Sequence, residues 1–136
     1  MAHLELPAAA GLRAIVIVLG EGGFGVVLEA EDNQLVRPVA LKLLHAELVD
    51  SEAFARFVRE ARATAAPRHP AIVQVYDHGH DERGRPFLVL ELVAGISAKR
   101  LALDPASLEP SRVAALGCEL ASALAAAHQA GVLHRD

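Results

Sequence analysis

At 136 residues, with 53% hydrophobic and 22% charged content, the chain has the size and composition of one globular domain, which excludes a disordered segment. A net charge of −4 with no long run of one sign argues against a nucleic-acid or acidic-membrane binder, which would carry a basic patch. Cys118, the only cysteine, excludes an internal disulfide, and the apolar stretch 14–19 is too short to span a bilayer and has no positive segment before it, so a soluble, cytoplasmic chain is expected.

In chain order, residues 1–11 read as an N-terminal extension. Residues 12–19, rich in Ile, Val and Leu, predict a strand. A glycine cluster, Gly20 to Gly25, interrupts it, and residues 26–31 predict a returning strand. Residues 39–44, apolar except for Lys42, predict a third. Residues 51–65 have the period of an amphipathic helix, ended by Pro67 and Pro70. Two more strands are expected at 72–76 and 87–92, separated by the turn-rich HGHDERGRP. The remainder is helical: residues 110–130 begin at Pro110 and end at Gly131, the usual asymmetry of helix start and stop. That helix is apolar or small on nearly every face, the pattern of a helix inside a larger core. The chain reaches Asp136 with no closing segment, and is expected to stop mid-domain.

Gly20-Glu21-Gly22-Gly23-Phe24-Gly25 fits G-x-G-x-x-G, a pattern shared by dinucleotide folds and kinases. The residues that follow discriminate. A dinucleotide fold opens a helix at the last glycine, whereas Val26-Val27-Leu28 favours a strand. The loop is then the tip of a hairpin whose glycines let backbone N–H groups approach an anion. Val27 completes the longer pattern G-x-G-x-x-G-x-V. A Walker A loop is excluded, since no Gly-Lys-Ser/Thr follows, and a nicotinamide oxidoreductase is disfavoured.

Val39-Ala40-Leu41-Lys42 matches the V-A-I-K type motif. Only two lysines, Lys42 and Lys99, stand against eleven arginines, so a lysine inside an apolar run hints that a compact ammonium is needed there. Strand alternation puts Ala40 and Lys42 on one face, a small residue beside a charge. An inward lysine needs an anion. In the helix, Phe54, Phe57, Val58, Ala61 and Ala65 share one stripe; Glu52 falls opposite, while Glu60 lies about 60° from Phe57, at the stripe's edge.

The order of glycine loop, strand lysine, helix glutamate, apolar strand, apolar helix and His134-Arg135-Asp136 resembles the protein kinase family, over about residues 12–136. LGEGGFGVV, RPVALKLL, HPAIVQVYDHG and GVLHRD are similar to segments of bacterial (Hanks-type) serine/threonine kinases. The resemblance implies an α+β, protein-kinase-like fold. A five-stranded antiparallel N-lobe sheet with one regulatory helix would occupy residues 12–93 with the hinge. The first helices of an incomplete α-helical C-lobe would occupy residues 94–136. It implies that Leu19, Val27 and Ala40 sandwich adenine, with Leu90 as gatekeeper and the backbone of Glu91 and Val93 holding the adenine edge. Residues Gly20, Glu21, Gly22, Gly23, Phe24 and Gly25 would fold over the phosphates, and Lys42 would hold the α/β-phosphates while pairing with Glu60. Asp136 would accept the proton of the substrate hydroxyl. ATP and Mg²⁺ are the implied cofactors, and a protein Ser/Thr hydroxyl the acceptor; neither nucleic acid nor a membrane segment is implied.

The family's catalytic-loop lysine and asparagine, D-F-G, activation loop and A-P-E segment do not occur in these residues. No residue here is therefore assigned as a metal ligand, and this chain by itself is expected to be inactive. The alternative is a non-catalytic nucleotide-binding or interaction remnant, pseudokinase-like. Other features have plainer readings. His78-Gly79-His80-Asp81 reads as solvated loop, not a metal site. Cys118 reads as a small core residue, and the basic face of Arg56, Arg59 and Arg62 as solvated.

Overall fold

The computed structural model describes residues 12–23, 25–48, 52, 54, 55, 57, 59, 61, 68–104 and 109–132. Phe24, Glu60, Asp136 and the extension 1–11 lie outside the described residues, as do Arg56, Val58, Arg62, His134 and Arg135. Backbone packing divides the chain into two compact units, residues 1–65 with 74–92 and residues 66–73 with 93–136.

The first unit is a five-stranded sheet. Its strands are β1 (Leu12–Gly22), β2 (Gly25–Asp32), β3 (Arg37–Leu44), β4 (Val75–His80) and β5 (Pro86–Glu91), in the order β1-β2-β3-β5-β4, and every pair is antiparallel. A short 3₁₀ turn, Ala46–Leu48, follows β3. Residues Glu52, Phe54, Ala55, Phe57, Arg59 and Ala61 are helical and belong to α1.

The two sheet faces have different partners. Partners in an antiparallel ladder share a face, and Val26↔Leu43, Leu28↔Leu41 and Ala30↔Val39 place these side chains on one side. With Phe87 and Val89 they form a buried cluster. Burying each Leu, Val or Phe here contributes about 1.5–3 kcal/mol, which holds the sheet rigid. On the opposite face Phe57 and Ala61 of α1 pack on Leu44 and Leu88, with Val75 and Leu90 partly buried at the edge.

Two regions differ most from the sequence expectation, the other strand ends shifting by one or two residues. The strand expected at 72–76 is β4 at Val75–His80, and residues 69–72 instead form a turn in which Ile72 N–H donates to His69 C=O at 3.0 Å. The β4 strand lies at the sheet's edge and is half exposed, so hydrophobic patterning does not mark it. Within it, Gly79 replaces a side chain: a Cβ there would come 2.9 Å from the Phe87 ring. The glycine cluster likewise does not break the sheet where expected, because β1 runs through Gly22 and β2 resumes at Gly25.

The second unit holds α2 (Ala98–Leu101) and α3 (Pro110–Gln129). Ser97 caps α2 by accepting from the Arg100 N–H at 3.3 Å. Glu109 caps α3, accepting from the Arg112 N–H at 3.2 Å with Pro110 in the first turn. Ser111 and Arg112 hydrogen bonds hold the Glu109 carboxyl below its usual range. The far end closes at Gly131 (φ 78°), with Gly131 N–H on His128 C=O at 3.0 Å and Val132 N–H on Ala127 C=O at 2.9 Å. This is the paired pattern that a left-handed glycine permits. In the same unit His69 bonds Ser122 of α3 at 2.9 Å. Along α3 only Ala123 is buried, with Ala126 and Ala127 half-buried.

Candidate nucleotide site

Register places Lys42 opposite Val27 and Leu88, and Ala40 opposite Leu90. Gly20 lies opposite Val27. Gly20, Val27, Ala40, Lys42 and Leu90 therefore share the face on which α1 packs, and Ala40 is buried there. The helix takes the β3–β5–β4 side of that face, through Leu44, Leu88, Val75 and Leu90. The β1–β2–β3 side is lined by Gly20, Val27 and Ala40. Lys42 stands between the two sides, its Nζ 5.9 Å from the Phe57 ring centroid, close enough for the ring face to attract the ammonium. Glu29, half-buried opposite Ala40, joins this row, and sequence reasoning did not single it out.

The hairpin tip beside this row shows why it is glycine-rich. A Cβ on Gly25 would stand 2.0 Å from the Leu43 carbonyl oxygen and 3.2 Å from the Leu44 Cα, so β2 lies against β3 only if this residue is glycine. Gly20, Gly22 and Gly23 differ: a Cβ at each would meet nothing within 4 Å, and none has a positive φ. Neither packing nor backbone conformation requires glycine there, although glycine in a strand costs about 0.5–1 kcal/mol relative to alanine. Glu21, opposite Val26, is exposed. Leu19 lies at an irregularity of the β1–β2 ladder between Val18 and Gly20 and is half exposed. His45, just beyond β3, reaches back to the tip: its Nε2 is 3.1 Å from the Gly22 carbonyl oxygen.

At the other end of the row, the Glu91 N–H donates to the Gln74 carbonyl at 2.9 Å, and its carboxylate accepts from the Gln74 N–H at 3.2 Å. Val93 is exposed and begins the longer segment of the second unit. The roles of Phe24, Glu60 and Asp136 fall on residues outside those described.

His78 and His80 are exposed on β4, but Asp81 is buried and organises the β4–β5 turn. Its carboxylate accepts from the Arg83 N–H at 2.9 Å, the Arg85 N–H at 2.7 Å and the Arg85 Nε at 2.5 Å, while Gly84 turns the chain at φ 76°. Burial opposes its ionisation, yet the Arg85 and Arg83 contacts outweigh that and hold the carboxyl below its usual value. No group of three or more His, Cys, Asp or Glu among the described residues could hold a metal ion. Among the same residues, no helix is long and apolar enough to cross a membrane.

The protein kinase domain family matches residues 14–136. The chain belongs to that family. It is 42% identical over 123 residues to a probable serine/threonine-protein kinase of Streptomyces coelicolor, covering 88% of this chain and 18% of that protein. It is also 42% identical to serine/threonine-protein kinase PknL of Mycobacterium bovis, covering 87% of this chain and 30% of the relative. The crystal structure of the Mycobacterium tuberculosis PknI kinase domain superposes with a TM-score of 0.77 at 34% identity, over 93% of this chain and 51% of that one. The chain thus spans under a third of these curated relatives and about half of a solved kinase domain. The bacterial serine/threonine kinase resemblance and the antiparallel α+β fold both hold. Protein kinases use ATP with Mg²⁺.

Proposed function

We propose that the Lys42 face of the sheet binds ATP, and that the kinase containing this chain transfers the γ-phosphate to protein Ser/Thr hydroxyls. One observation carries this reading. Three glycines that the fold does not require stand at the hairpin tip, next to a face that combines a lysine with the small, buried Ala40. Backbone N–H groups without side chains suit an anion, and an apolar strip beside an ammonium suits a flat ring linked to phosphates.

In this reading Val27 and Ala40 contact one purine face together with Leu19, and Leu90 limits the depth of the pocket. The Glu91 N–H is already donated to Gln74, so any purine contact from the Glu91 backbone runs through its carbonyl. Gly20 to Gly25, with Glu21 and Phe24, cover the phosphates, and Lys42 neutralises charge on the α- and β-phosphates. The roles of Val93 at the adenine edge, Glu60 as the lysine's partner and Asp136 as acceptor of the hydroxyl proton rest on the family pattern alone. Mg²⁺ would neutralise charge on the β- and γ-phosphates; no residue of this chain is assigned to it.

In the complete protein, Lys42→Met should lower phosphate transfer to a generic Ser/Thr substrate by about a hundredfold or more, the scale on which one electrostatic contact to a transition state acts. Lys99→Met should leave it within about twofold, as expected of an exposed charge on α2. Radiolabelled-phosphate incorporation measures both, and equal effects would remove Lys42 from the site.

A further inference from the structure

We infer that His45 is a positioning residue, which turns the Gly22–Gly23 peptide so that its N–H faces the phosphate side of the sheet. The inference rests on the nucleotide reading above and adds a residue to it. His45 follows Leu44, the last residue of β3, and Leu44 pairs with Gly25 at the root of the glycine turn. The His45 ring therefore stands beside the hairpin tip, and its Nε2 lies 3.1 Å from the Gly22 carbonyl oxygen. A carbonyl only accepts, so the ring nitrogen donates, which fixes the proton on Nε2.

The direction of that bond matters. Along β3, Ala40, Lys42 and Leu44 share one face, while Leu41 and Leu43 lie on the other. Continued by one residue, the alternation puts His45 on the Leu41–Leu43 side. In a trans peptide the C=O and N–H point in opposite directions. A Gly22 carbonyl drawn toward His45 thus aims the Gly23 N–H toward the Lys42 side. Gly22 and Gly23 have no Cβ contacts to hold that orientation, and glycine gives little rotational preference of its own. The His45 bond supplies the constraint the glycines lack.

The test is the affinity of the purified 136-residue chain for Mg-ATP and for adenosine, measured by calorimetry, with thermal melting as a check on folding. His45→Ala should weaken Mg-ATP by about tenfold, the loss of one hydrogen bond to a charged group, and leave adenosine unchanged. His45→Gln, which carries an amide N–H to the place of Nε2, should restore most of the loss. Equal weakening of both ligands by His45→Ala, no weakening, or failure of His45→Gln to restore binding would overturn the inference. Lys42→Met separates this from the larger reading. If it too leaves Mg-ATP binding unchanged, or if the unsubstituted chain binds no Mg-ATP, the nucleotide site itself is wrong and the role of His45 falls with it. If Lys42→Met weakens Mg-ATP and His45→Ala does not, only the inference about His45 fails.

Discussion

Asp81 illustrates what single residues contribute. A carboxylate in a D-E-R-G-R turn reads as solvated from composition, yet this one is buried under two backbone N–H donors and the Arg85 side chain. Asp81→Ala removes the carboxylate that two backbone N–H groups and the largely buried Arg85 side chain bond, and should cost about 2–4 kcal/mol of stability in urea unfolding. Because its native pKa is depressed, the stabilisation is fully present above the unfolded value near pH 4 and is lost as pH falls through the native value. Asp81→Ala should therefore flatten the acid limb of the stability curve; an unchanged limb would show that the carboxylate is not the group responsible. The motif residues were legible because their spacing is unusual in itself. Glu29 and His45 were not, since each acquires its partner only when strands pair, and Asp81 was not, since its local turn contacts leave no mark in composition or periodicity.

Among the elements, those with a strong period or punctuation were readable. The β3 strand alternates around Lys42, and α3 runs from Pro110 to the left-handed Gly131, as its proline and glycine signalled. The β4 edge strand was misplaced because a half-exposed edge needs no apolar alternation, and its histidines and glycine imitate a turn. The apolar composition of α3 was also legible, and so was the exposure that follows from a chain with little left to bury it: Leu120 is 61% exposed and Val113 48%, with Leu116 and Leu124 close behind on the same stripe. An exposed apolar stripe of that length favours association. The isolated 136-residue polypeptide should self-associate with rising concentration in sedimentation velocity, and Leu120→Glu should reduce this without lowering the melting temperature. A monomer at all concentrations, or a destabilised Leu120→Glu variant, would show that the stripe is covered in solution.

For the molecule as a whole, the central claim is that one face of the sheet in the first unit presents Lys42 to nucleotide phosphates. The composition makes a direct test possible, because Lys42 and Lys99 are the only lysines. An acyl phosphate of ATP carries a transferable acyl group at the phosphate end and deposits it on the nearest ε-amine, so peptide mass spectrometry reports which lysine meets the phosphates. The account predicts acylation at Lys42, suppressed by excess Mg-ATP, with Lys99 modified only at the slow rate of an exposed amine and insensitive to competitor. Labelling of both lysines at equal rates, or labelling of Lys42 that excess Mg-ATP does not suppress, would contradict it.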